Sequence, residues 1–352
     1  MKKQAAKRER NYGIDLLRLV SMLFVVLLHS LLFGGVLNGA GDCYEAAWLL
    51  EVFAFGAVDI FGIISGFVGY REEKKPFKLK PFISIWGQGL FYSIAILVIV
   101  AIFNRGIITK TDVITNLSPV FHNTYWYLTA YLFLLLAMPL LNAWVRELTK
   151  EQCRRCVWAL IALVTLLSFK DLFGLSGGYS AVWLMILYLI GALMKKGEFL
   201  VKFKKSWCVL IIAALTVVVW GVKMLDGKLG GGIVSIAIKP FAVSYVSPIV
   251  LFSAILWVKL FSTMKITKKK FIAAIEWAAP CAFGIFLLNS HPLIRVHYTP
   301  NWLSPINGMS GILTLLYVIA FSVAFCLIAI VIDKIRQIGV IRIKRLFSKR
   351  RQ

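Results

Sequence analysis

Ten apolar stretches follow one another along this chain with only short polar segments between them. They are Ile14–Val36, Trp48–Tyr70, Phe82–Phe103, Trp126–Val145, Val157–Phe173, Ser180–Met194, Trp207–Val222, Pro240–Phe261, Ala273–Ser290 and Gly311–Asp333. A helix needs about 20 apolar residues to cross a hydrocarbon core, and in lipid its backbone groups must be satisfied within the segment. The pattern therefore predicts an all-α fold, a polytopic transmembrane bundle of about ten helices. Nine or eleven spans are compatible with it, because the sixth run is short and the glycines Gly230, Gly231 and Gly232 precede an apolar piece that suits a re-entrant segment. The division is a basic N-terminal segment (1–13), a membrane domain (14–333) and a basic tail (334–352), with no room for a sizeable soluble domain.

Composition excludes the soluble alternatives. Hydrophobic residues make up 60% and charged residues 16%, with a mean hydropathy of +0.81, against about 45–50% and about 25% in soluble domains. The net charge of +24 would suggest nucleic acid in a soluble chain, but here its distribution assigns it to topology and nucleic acid is not an expected partner. With the N-terminus inside, the inner segments 1–13, 71–81, 146–156, 195–206, 262–272 and 334–352 hold 31 of the 40 lysines and arginines, and the outer loops hold 7. That asymmetry is the positive-inside pattern. It predicts a multi-pass membrane protein with both termini in the cytoplasm, its basic segments touching anionic membrane lipids. The first apolar run is too long, and too interrupted by Asp15, Arg18 and His29, for a cleaved signal peptide. The six cysteines imply no disulfide framework, and the single Cys153-x-x-Cys156 pair is weak evidence for metal or redox chemistry.

Ionisable groups inside a membrane are costly and mark function more often than elsewhere. Arg18 and His29 stand 11 residues apart, about 20° past three whole turns and roughly 16 Å along the axis. They share one face of the first helix. His29 suits a general base, with an unperturbed pKa near 6.5; a buried structural histidine is the other reading. Arg18 suits an anion site or a side chain snorkelling to the headgroups. In the second run, Gly62-x-x-x-Gly66 with Ser65 reads first as a close helix-packing face. The loop REEKKPFKLKPF after it holds Arg71, Lys74, Lys75 and Lys78, which suit either topology or the phosphates of a donor. At the outer side, Tyr125 and Trp126 follow His122 and Asn123, and Asn289, His291 and Arg295 cluster at the end of the ninth run. Aromatics there fit sugar stacking and interfacial anchoring equally. No spacing of ligands suggests a metal site, and no phosphate-loop, dinucleotide or nucleophile-elbow motif is present.

The segment GIDLLRLVSMLFVVLLH (13–29) resembles the opening of the acyltransferase-3 family of integral membrane acyltransferases. The similarity continues in order through VDIFGIISGFVGY (58–70), KPFKLKPFISIWGQGLFYS (75–93), YWYLTAYLFLLLAMPLLNAWVRELTKEQ (125–152) and AFGIFLLNSHPLIR (282–295). The resemblance implies an O-acetyltransferase of exopolysaccharide or another cell-surface glycan, placed in a bacterial cell membrane. Such an enzyme takes an acyl group, usually acetyl, from cytoplasmic acyl-CoA and delivers it to a glycan hydroxyl across the membrane. Acetyl-CoA is then the donor substrate, and no bound cofactor is implied. The family's helix-one pair maps onto Arg18 and His29, giving His29 as catalytic base and Arg18, oriented by Asp15, as a donor-binding group. Its FxxSG-type segment maps onto Phe61 to Gly66, and its aromatic block onto Trp126, Tyr127 and Leu128. The Arg-x-x-Arg pair of many members is represented only by Lys75-x-x-Lys78 and Arg71-x-x-Lys74. Lysine lacks the bidentate fork of arginine. The late Tyr-Leu-Ile-His is replaced by Phe286-Leu287-Leu288-Asn289, with His291 nearby. On the acceptor side the candidates are Tyr125, Trp126, Asn289, His291 and Arg295.

Two other readings fit ten helices with buried charge: a transporter or flippase, and a non-catalytic partner in polysaccharide assembly. Transfer of labelled acetyl to a glycan separates the enzyme from both. The orientation has its own check. Green fluorescent protein fused after residue 204 should fluoresce, and alkaline phosphatase fused after residue 108 should be active. The opposite pattern would invert the topology.

Overall fold

The computed structural model describes residues 10–38, 43–74, 78–170, 174–229, 242–306 and 308–349, the backbone alone at 227–229 and 343–349. Each of the ten apolar runs contains helix, and no β-strand occurs among the described residues. The helices are α1 (Tyr12–Phe33), α2 (Tyr44–Ala54), α3 (Ala57–Gly69), α4 (Lys80–Phe103), α5 (Lys110–Leu117), α6 (Trp126–Glu147) and α7 (Lys150–Leu167). They continue as α8 (Ala181–Gly197), α9 (Lys205–Leu229), α10 (Pro248–Ser262), α11 (Lys269–Ala278), α12 (Ala282–Asn289) and, after short turns, α13 (Gly311–Lys349). Seven segments are long and apolar enough to cross a membrane, among them Tyr44–Gly69 and Lys269–Asn289, each built from two helices. The fold is thus a polytopic helical bundle.

Three of the ten runs form lesser helices. α7 opens on charged Lys150, Glu151, Arg154 and Arg155, and α8 and α10 are 17 and 15 residues long. α8 lies at the centre of the bundle, with Trp183, Leu184, Leu187, Tyr188 and Ile190 fully buried. A helix surrounded by other helices has to match its neighbours rather than the thickness of a bilayer. The large apolar side chains that remain exposed, such as Phe103, Leu140, Leu166 and Ile312, lie on the outer helices, where lipid would cover them.

The boundaries differ from the apolar runs in particular ways. The second run breaks at Phe55–Gly56, where the N–H of Phe55 bonds to the carbonyl of Val52 and α3 starts afresh. The ninth bends at Pro280 through a short 3-10 turn, as a proline inside a helix dictates. The seventh does not stop at Val222 but stays helical to Leu229. Most of the possible re-entrant piece after it lies outside the described residues. The basic segment from 334 continues α13 unbroken, so this helix has 39 residues. At 1.5 Å per residue it is about 58 Å long, roughly twice a hydrocarbon core.

The basic segments gather at one end of the bundle. Asn11 donates to the carbonyl of Ser262 at 2.7 Å, and Arg10 approaches Glu276 at 3.5 Å. Lys195 donates to the carbonyl of Tyr70 at 3.0 Å, Lys196 to that of Arg146 at 2.6 Å, and Lys259 to that of Val201 at 2.9 Å. Gln337 contacts Cys281. These contacts join segment 1–13 to 262–272 and segment 146–156 to 195–206, and tie basic segments to the helix residues beside them. Just before the last basic segment, Asp333 is fully buried, and its carboxylate accepts from Tyr92 (2.8 Å), Arg336 (2.7 Å), Gln337 (2.7 Å) and Gln88 (3.3 Å). A charge buried in this way survives because it is paired and hydrogen-bonded.

The tightest crossing joins α3 to α8. A Cβ on Gly66 would lie 1.8 Å from the Tyr188 carbonyl oxygen, and one on Gly191 would lie 2.0 Å from that of Ile63. Gly62 abuts Leu187. Small residues let two backbones approach where lipid offers no hydrophobic drive between helices. Gly191→Leu should therefore cost about 3 kcal/mol or more, the upper range for overpacking. The measurement is thermal unfolding of detergent-solubilised protein. Gly221→Ala, where a Cβ meets nothing within 4 Å, should leave the transition in place.

Candidate functional site

At the end away from the basic segments, the helices enclose a cavity of about 650 Å³. Its walls come from the last turns of α1, from α2, from the starts of α3 and α6, from the end of α9 and from α12. Most of the lining is apolar and aromatic, including Phe55, Phe61, Trp126, Tyr127 and Phe286. Four ionisable side chains besides Asp226 interrupt it: His29, Glu51, Lys223 and Arg295. A largely apolar concavity with a few convergent polar groups is the usual form of a small-molecule site.

His29 reaches this cavity because α1 runs straight from its cap. The side chain of Asn11 accepts the N–H of Ile14 at 3.1 Å, and 22 helical residues follow. Hydroxyls along α1 are satisfied locally, Ser21 on the carbonyl of Leu17 and Ser30 on that of Val26. His29 Nδ1 lies 2.5 Å from Asn289 Oδ1. An amide oxygen only accepts, so Nδ1 carries the proton and Nε2 keeps its lone pair. A histidine held in this way is a base with a defined tautomer. Its ring meets Phe33 edge-on at 5.6 Å, and the Arg295 guanidinium stacks over the Phe33 ring at 4.9 Å.

Arg18 lies at the other end of the same helix face and does not line the cavity, whose floor on α1 is Met22. Its guanidinium meets Asp15 at 2.7 Å, and Asp15 also binds Arg10 at 2.5 Å. Asp15 is buried, so one carboxylate gathers two arginines near the basic end. On α3, Ser65 turns its hydroxyl back to the carbonyl of Phe61 at 2.9 Å. Arg71, Lys74 and Lys78 are exposed after α3. Lys75 lies outside the described residues.

The acceptor-side candidates divide. Trp126 and Arg295 line the cavity, and Asn289 reaches it through His29. Tyr125 and His291 do not. They pack against each other at 6.0 Å between rings. His291 is fully buried, with Nδ1 accepting the N–H of Leu293 at 3.2 Å and Nε2 facing the carbonyl of Ser93 at 3.4 Å. Both its nitrogens are occupied by backbone. Two groups escaped the sequence reading. Glu51 is a carboxylate within an apolar run, a signal in itself, yet that run read simply as a second span and the carboxylate near its start passed unremarked. Asp333 stood at the margin of a run and passed as its end. Among the described residues, no group of three or more His, Cys, Asp or Glu could hold a metal ion.

One protein-family model, described as an acyltransferase domain and belonging to the acyltransferase-3 family, matches residues 11–334. Comparison with curated proteins finds no match, and neither does comparison with solved structures. The chain belongs to the acyltransferase-3 family and is a multi-pass membrane acyltransferase. Loss of the amide that orients His29 should slow the transfer. Asn289→Ala is expected to lower kcat about tenfold, the worth of one hydrogen bond of about 1.4 kcal/mol. Acyl transfer measured at matched protein levels tests this, and an unchanged kcat would remove Asn289 from the site.

Proposed function

We propose that this enzyme moves an acyl group, probe acetyl being the simplest, from acyl-CoA to a hydroxyl of a cell-surface glycan. The donor enters from the basic, cytoplasmic end and the acceptor from the opposite one. The observation that carries this reading is His29, held through Nδ1 by Asn289 so that Nε2 is left as an acceptor, in the wall of an aromatic cavity. A hydroxyl is a poor nucleophile until its proton is removed. His29 Nε2 takes that proton as the oxygen attacks the thioester carbonyl. The carbon–sulfur bond then breaks, and the CoA thiolate leaves and accepts the proton from the imidazolium. The products are an ester and free CoA, and His29 is neutral again. Arg295 shares the cavity wall with His29, both against Phe33, and its positive charge suits an oxyanion forming there.

The donor's phosphates need positive charge at the other end. Arg18, fixed by Asp15, supports that role, as do the exposed Arg71, Lys74 and Lys78, with Lys75 completing the set in sequence. The charge-assisted bonds such groups make to phosphate are among the stronger ones. The roughly 16 Å between Arg18 and His29 along α1 is the distance the donor arm has to bridge. Trp126 offers the acceptor a ring to stack on, and membrane lipids surround the bundle.

The test is transfer from labelled acetyl-CoA in membranes of known protein content. His29→Gln should reduce transfer by about 10²–10⁴-fold, the range for a positioned general base, while the protein accumulates normally. Arg18→Ala should raise the KM for acetyl-CoA, with Arg18→Lys restoring part of it. Near-normal transfer by His29→Gln would make that residue structural and refute the mechanism.

A further inference from the structure

Buried polar atoms in folded proteins are hydrogen-bonded almost without exception, so each one that is not calls for an explanation. Several side-chain atoms in this bundle are buried with no hydrogen-bond partner in the protein. Four of them belong to residues of the one cavity: Trp48 Nε1, Glu51 Oε2, Tyr127 OH and Arg295 Nε. Such a concentration is what a site shows when its ligand supplies the missing partners. Three of these atoms donate and one, on Glu51, accepts.

Glu51 is the most constrained of the four. It is 7% exposed, and no basic side chain forms an ion pair with it among the described residues. α2 presents it one turn after Trp48, so the indole and the carboxylate share a face. Lys223 lies 4.3 Å from the Trp48 ring and is thereby held over the indole. A lone carboxylate in an apolar wall is costly unless something donates to it. The groups that a glycan offers in excess are hydroxyl donors, and its ring faces suit the aromatic walls.

We propose that Glu51 is a specificity-determining residue that accepts a hydrogen bond from one hydroxyl of the acceptor while His29 deprotonates another. The substrate class is then a polyol with at least two free hydroxyls within reach of each other, as on a sugar ring, and a simple alcohol is a poor substitute. This rests on the acyl-transfer reading above and deepens it. No bond to Glu51 is made or broken, so it is a positioning group and the chemistry stays on His29.

The experiment uses the purified full chain in detergent with labelled acetyl-CoA and two probe acceptors, cellobiose and benzyl alcohol. Ester formation and release of free CoA are followed together. The wild type should prefer cellobiose by at least tenfold in kcat/KM. Glu51→Gln and Glu51→Ala should each erase most of that preference by raising the KM for cellobiose. The KM for acetyl-CoA and the rate with benzyl alcohol should stay within twofold. Glu51→Asp should recover part of the preference. Equal losses with both acceptors, or none with either, would overturn the assignment of Glu51, as would a wild type that shows no preference. Those outcomes leave the transferase reading standing. A wild type that transfers to neither probe overturns both.

Discussion

The bundle depends on two backbones meeting without side chains between them. Gly66 on α3 and Gly191 on α8 each put their Cα where a methyl group would run into the opposite carbonyl oxygen. Lipid tails are as apolar as leucine, so nothing but close packing and polar contacts draws such helices together. This crossing fixes α8 at the centre. It also sets the height of α3, whose first turn carries Asp59. That buried carboxylate accepts the indole N–H of Trp183 on α8 at 3.0 Å. Tyr188, on the same helix, donates to Asn142 of α6 at 2.9 Å. Three helices are thus keyed to one contact, and the first turns of two of them, α3 and α6, wall the cavity.

From that frame, α1 can act as a strut between two chemistries. Its basic end holds a carboxylate shared by two arginines, and its other end holds an imidazole shared with α12. The hydrogen bond between His29 and Asn289 joins residues 260 apart in sequence. It therefore depends on the bend at Pro280, which aims α12 toward α1. A straight helix over 269–289 would carry the amide along a different line. The same bend brings Gly284 against Asp333, whose carboxyl occupies the space a side chain would need.

Much of this was legible in the residues, and the rest was hidden for identifiable reasons. Hydropathy reports what a helix is immersed in, so the apolar runs and the common side of the basic segments could be read directly. Helical periodicity reports one face of one helix, so Arg18 and His29 could be paired. Neither reports who stands opposite. Asn289 was visible only as a polar residue near a helix end, and its contact with His29 required the tertiary fold. His291, two residues on, looked equivalent and proves to be held by backbone groups instead. Glu51 was hidden because one carboxylate near the start of an apolar run barely lowers its hydropathy, and nothing local shows that it faces a cavity. The extent of α9 and α13 was hidden because polar residues end an apolar run but need not end a helix.

The length of α13 has a practical side. A helix that leaves the bilayer still wound is a rigid shaft rather than a tether, and it carries orientation outward from the bundle. Small membrane proteins are hard to image because detergent hides their shape and leaves nothing to align on. A globular partner joined in helical phase beyond Arg342, with no flexible linker, would hold one angle to the membrane domain. It would serve as a built-in fiducial for single-particle microscopy.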